Sequence, residues 1–142
     1  MSQKERENKY REAVRNFDNA REILSTKAKK NDRYYEDEKY VRMACGTAYN
    51  GVLKAVDTFL ELKGKPIRKK KNTRLSVYDY QNSLTKLNKN LLNEFNTTYA
   101  VLHLEGYYEG NLNAEVIKQG MVSFAIILNH IKPLGVTDIN LN

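Results

Sequence analysis

Apolar residues recur along this chain at steps of three and four, the spacing that gathers side chains on one face of an α-helix. In residues 5–29 the stripe is Tyr10, Ala13, Val14, Phe17, Ala20, Leu24 and Ala28, with Arg11, Glu12, Arg15, Asp18, Arg21 and Glu22 off it. A polar break at residues 30–33 predicts where this helix ends. Residues 36–63 carry the widest apolar face, built from Tyr40, Val41, Ala44, Cys45, Ala48, Tyr49, Val52, Val56, Phe59 and Leu60. Gly46 and Gly51 interrupt it, and each glycine costs a helix about 1 kcal/mol relative to alanine. With Ala44 and Ala48 they predict close approach of a neighbouring helix or a second chain. Glu36, Asp37 and Glu38 suit the positive end of this helix, and Gly64 with Pro66 stops it.

A third helix is predicted from Ser76, whose spacing to Asp79 matches a capping box. Its stripe of Val77, Tyr80, Leu84, Leu87 and Leu91 runs on, straight or kinked, through Phe95, Tyr99 and Leu102 to a turn marked by Gly106 and Gly110. Asn113 is placed to cap a last helix with Val116, Gly120, Phe124, Ile127, Leu128 and Ile131 facing inward. Pro133 and Gly135 end it, and the tail at 133–142 is expected to be loosely held. Four amphipathic segments with mostly short connections predict an all-α fold, an antiparallel four-helix bundle, in one domain spanning 1–142.

Composition agrees with helices: the 142 residues include two prolines and seven glycines. A chain of this size buries roughly 68–70% of its unfolded surface and needs no metal or disulfide to form a core. Cys45 stands alone, so neither a disulfide framework nor a zinc cluster is expected, and no cofactor or metal. The first residues lack the apolar core of a secretory signal, and the longest apolar run is too short to span a bilayer. A cytoplasmic protein without membrane contact is the expectation.

The net charge of +7 is unevenly placed. Residues 1–74 hold 20 Lys or Arg against 11 Asp or Glu, whereas residues 75–142 hold 4 against 6. Seven positive charges and no negative one fall in a basic linker at 63–74. Lys65, Arg68, Lys69, Lys70, Lys71 and Arg74 are therefore candidate contacts to the phosphates of a nucleic acid. The alternative is a solvated loop whose like charges repel.

Chemistry-bearing motifs are few. There is no glycine-rich phosphate loop and no paired histidine at metal spacing. Cys45 on an apolar face reads as a small hydrophobe. His130, in the last turn of its helix, suits the negative dipole end. His103 stands closer to a site, because Glu105, Tyr107, Tyr108 and Glu109 follow it around the glycine turn. Together they predict a polar pocket in which an imidazole serves as general acid or base. The alternative is a helix-end histidine bonded to a backbone carbonyl or a glutamate.

The run from Ala44 through Gly46, Tyr49, Gly51 and Val52, continued by Phe59, Leu60, Leu62, Gly64 and Pro66, resembles the second helix of the HEPN superfamily. These are the helical domains of higher eukaryote and prokaryote nucleotide-binding proteins. The chain is also similar to small bacterial helical proteins placed near that superfamily. The resemblance covers residues 5–132 and implies a homodimer. Active HEPN proteins cut RNA with an arginine followed, a short spacer later, by a histidine, the motifs of two chains meeting at the dimer interface. His103 matches that histidine. The spacing puts the arginine at 96, 97 or 98, where this chain has Asn96, Thr97 and Thr98. Antitoxin-linked members often carry tyrosine two residues after the histidine, where this chain has Glu105. Loss of a preorganised cation at the scissile phosphate removes transition-state stabilisation. The expectation is a non-catalytic HEPN-like binding module, for RNA or a protein partner of a defence or toxin–antitoxin type system. The alternatives are a divergent metal-independent ribonuclease using His103 and a structural assembly module.

Overall fold

The computed structural model describes residues 1–141. Its first helix, α1 (Gln3–Ile23), is capped by Ser2, whose hydroxyl accepts from the Glu5 amide, and it widens into a π-helical turn over Leu24–Ala28. The polar break folds into a small antiparallel hairpin, β1 (Lys30–Asn31) and β2 (Tyr34–Tyr35), with Lys30 opposite Tyr35 and Asn31 opposite Tyr34. The Tyr35 amide donates to the Leu112 carbonyl at 2.8 Å, and the Ala114 amide to the Arg33 carbonyl at 2.8 Å. The hairpin thus pins the connection between the first two helices to the entry of the last one.

Helix α2 (Glu38–Leu62) is the central element, and its face is buried from Val41 to Leu60. The capping box of Ser76 and Asp79 opens α3 (Val77–Leu87), as the spacing predicts. The stripe predicted as one helix is then interrupted at Asn88, which adopts extended φ/ψ of −162° and 103° and accepts from the Leu91 amide at 3.0 Å. Its short side chain competes with the helical backbone and caps a new helix. Helix α4 (Lys89–Thr98) follows and passes into a long π-helical segment, Tyr99–Tyr108. Helix α5 (Ala114–Ile131) is capped by Asn113, whose side chain accepts from the Glu115 and Val116 amides. Five α-helices therefore stand where the sequence pattern predicts four, because periodicity does not register a cap inside an apolar stripe.

The core joins α1, α2 and α5. The rings of Phe17 and Phe124 meet edge to face, 5.2 Å between centroids and 75° apart. Gly51 explains itself here: a Cβ on it would lie 2.6 Å from both Phe124 Cζ and the Asn16 Cβ. Ala44 and Ala48 are fully buried within the chain. The small residues of α2 are thus consumed by packing against their own chain, which removes them as an argument for a second one. The tail, in turn, has fixed contacts. Asn129 donates to the Ile139 carbonyl at 3.1 Å and accepts from its amide at 2.9 Å, and Lys132 pairs with Asp138 at 2.8 Å. Among the described residues no helix is long and apolar enough to cross a membrane.

Candidate functional site

The π-helical segment sets the geometry of the site. Its hydrogen bonds run from i to i+5, and side chains four residues apart stay on one face, as they do in an α-helix. Tyr99, His103 and Tyr107 form a column on one such face. The imidazole lies 5.4 Å from the Tyr99 ring at 24°, and 6.0 Å from the Tyr107 ring at 10°. Tyr49 of α2 backs it at 4.8 Å, and Tyr108 meets it edge-on at 5.2 Å.

Two glycines let this segment press onto α2. A Cβ on Gly46 would lie 3.0 Å from the Tyr107 ring, and one on Gly106 would collide with Cys45 Sγ. Arg42 closes the segment's end: its guanidinium donates to the carbonyls of Tyr107 and Tyr108 while pairing with Glu38 at 3.3 Å. Those carbonyls lie at the end of a helical ladder, where a cation is favoured. Cys45 beneath is buried, and burial pushes its thiol up to about 12, so it stays protonated and packs as an apolar group.

In front of the column lies a cleft of about 570 Å³. Helix α2 contributes Gly46, Tyr49, Asn50 and Leu53 to it; the basic loop and the start of α3 contribute Arg74, Leu75, Ser76, Val77 and Tyr80. Burial raises the Asp57 carboxyl above the ordinary range, and the nearby Tyr80 hydroxyl offsets part of that rise. Burial lowers the His103 pKa and favours the neutral imidazole. Among the described residues the side chains of His103, Asn50 and Arg74 make no hydrogen bond or ion pair, so they are free to meet a ligand.

The residues anticipated from the sequence separate here. His103, Tyr107 and Arg74 line the cleft, with Tyr108 against the histidine. Glu105 turns aside to accept from Asn111 at 2.9 Å, and Glu109 is exposed outside the cleft. Lys65 lines a different, smaller hollow with Lys86, while Arg68, Lys69, Lys70 and Lys71 are exposed. None of the loop cations joins one of the three ion pairs among the described residues. The loop has apolar anchors after all: Ile67 and Leu75 pack against the core at either side of the cationic run.

Sequence reasoning placed Tyr49, Tyr80 and Tyr99 on core stripes and missed them as site residues; the four-residue spacing of Tyr99, His103 and Tyr107 was the available signal. The three positions where an arginine is wanted have other duties. Asn96 accepts from Gln81 at 3.0 Å, Thr97 lines a separate hollow with Glu94 and Lys118, and Thr98 is fully buried with its hydroxyl donating to the Phe95 carbonyl. No metal-holding group of His, Cys, Asp and Glu side chains occurs among the described residues.

Fold and site together define a helical protein with an aromatic-walled cleft beside a cationic loop. The chain belongs to the family described as a domain of unknown function, DUF5618, whose model matches residues 8–133. A protein of unknown function from Dyadobacter fermentans is similar in structure, with a TM-score of 0.78 and 38% sequence identity over 92% of this chain and 97% of that one. No curated protein matches the chain.

Proposed function

We propose that this protein is a non-catalytic RNA-binding module, HEPN-like in descent and homodimeric, of the kind used in defence or toxin–antitoxin type systems. The observation that carries RNA binding is the column of Tyr99, His103 and Tyr107 facing a cleft that ends on Arg74 of the unpaired cationic loop. Single-stranded nucleic acid is held by this combination in general: positive charge follows the backbone, and rings stack on the bases. The HEPN and homodimer parts rest on the resemblance in α2 and on the position of His103 after α4.

Binding of a fluorescently labelled single-stranded RNA, measured across a range of salt concentrations, tests the reading. Each neutralised phosphate contributes a log–log slope of about −0.7 for single strands. Neutralising Arg68, Lys69, Lys70 and Lys71 together is expected to flatten that slope and weaken binding to all sequences alike. An unchanged slope would make the run a solvated loop.

One observation favours a second reading, a divergent metal-independent ribonuclease. An imidazole without hydrogen-bond partners and a free guanidinium share one cleft, the first fit to move a proton and the second to hold a phosphate. The purified protein is expected to leave RNA intact. Cleavage that His103→Ala abolishes would put the enzyme in place of the binder.

A further inference from the structure

The contents of the cleft specify more than an affinity for phosphate. The cleft presents rings: His103 lies nearly parallel to Tyr99 and Tyr107, and Tyr107 is 47% exposed, so part of its ring is open to solvent. Arg74 lines the same cleft, and its planar guanidinium fork matches two phosphate oxygens at once. Asn50 also lines the cleft, and its amide has one acceptor and two donor hydrogens, without partners among the described residues. Such an amide complements the hydrogen-bonding edge of a base. The volume of about 570 Å³ falls within the range of small-molecule sites and is ample for one base with its ribose and phosphate.

We propose that this cleft seats a single unstacked nucleotide, its base against the Tyr99–His103–Tyr107 face, its edge toward Asn50 and its phosphate on Arg74. The proposal rests on the RNA-binding reading and adds which part of the RNA is read and where. A nucleotide splayed out of a single strand and a free nucleoside monophosphate share this chemistry. A paired duplex does not, because its bases are stacked on one another and offer no open face. Gly46 belongs to the same arrangement: with no Cβ, it lets one edge of the Tyr107 ring approach α2 closely.

The test uses the full chain with four probes: a short oligoadenylate, a strand of the same length with abasic ribose phosphates, the duplex form of the oligoadenylate, and AMP. Anisotropy reads the strands and calorimetry reads AMP. The oligoadenylate is expected to bind well above the abasic strand and the duplex. Tyr107→Ala is expected to weaken it by about 5- to 150-fold, the usual loss of one base stack. Tyr107→Phe keeps the ring and restores binding, and Arg74→Ala weakens it. Tyr107 is exposed, so its alanine variant keeps the fold, which circular dichroism verifies. AMP binding that depends on Tyr107 and Arg74 assigns the free nucleotide as ligand; binding of the strand alone assigns a nucleotide within RNA. Equal affinity for the abasic strand overturns the proposal. So does an unchanged Tyr107→Ala affinity alongside a loss on neutralising residues 68–71, and that outcome leaves the RNA-binding reading standing. Absence of binding to every probe removes both.

Discussion

His103 spends its surface on rings and leaves its nitrogens free, and this combination has a consequence for stability. Burial lowers its pKa, so the unfolded chain takes up a proton before the folded one does. Stability is unaffected by this group above about pH 6.5 and is lost as pH falls from there through the folded pKa. Asp57 works in the opposite direction, because its raised pKa makes the folded chain the better proton acceptor. Comparison of urea unfolding for the parent and His103→Gln between about pH 7.5 and 5.5 isolates the histidine: the variant is expected to lose less stability on acidification. Equal losses would mean that the imidazole is as well solvated as in the unfolded chain. The core makes a sharper demand at the same scale. Phe17 and Phe124 are 1% and 0% exposed and touch each other, so replacement of either by alanine is expected to cost about 3–5 kcal/mol. Unfolding midpoints equal to the parent's would contradict the packing. These two phenylalanines were legible from the stripe of their helices, whereas the four tyrosines around His103 were not all legible: Tyr49 reaches it from another helix.

Among the elements, the break at Asn88 and the basic loop show how far local pattern carries. The capping residues Ser76 and Asn113 stand where the sequence predicts them, because a cap is a bond between near neighbours. Asn88 is the same device placed inside a continuous apolar stripe, and the stripe concealed it. Asn88→Ala is expected to cost about 1 kcal/mol through loss of the bond to the Leu91 amide, read as a lower urea midpoint. No change would show that tertiary packing alone holds the break. The basic loop is expected to be the first internal segment cut in limited trypsin digestion, at exposed cations between the anchors Ile67 and Leu75, giving two large fragments. Early cuts within α2 would contradict its burial. The π-helical segment had no precursor in the pattern. Gly106 against Cys45, Gly120 against Leu102, and Arg42 on the terminal carbonyls surround it, and each is a contact between different elements.

At the scale of the whole molecule, the proposed homodimer sets a condition on the surface. Packing within the chain uses the small residues of α2, so a homodimer must be built on other surface; Met43 and Leu104 are exposed apolar residues on α2 and the π-helical segment. Sedimentation equilibrium is expected to show a dimer at micromolar concentration, and a monomer there would remove the dimeric part of the proposed function.

What the sequence determined by itself is the helical class, the burial of most of its stripe residues (Leu87 is 37% exposed), two of the caps and the run of positive charge. All of these follow from bonds and periodicities spanning about four residues, or from composition, and need no knowledge of the rest of the chain. The tertiary structure decided which residues share the cleft. Arg74 and His103 lie on different elements, and Asn50 on a third. The packing of the π-helical segment onto α2 through Gly46 and Gly106 brings His103 beside Asn50, and the loop before α3 brings Arg74 to the same space. It also decided that Glu105 and Glu109, two and six residues after His103, stand outside that space. Residues two apart on a helix face different sides, which turns Glu105 away, and Glu109 lies past the end of the π-helical segment, so neighbours along the chain are not neighbours in the site.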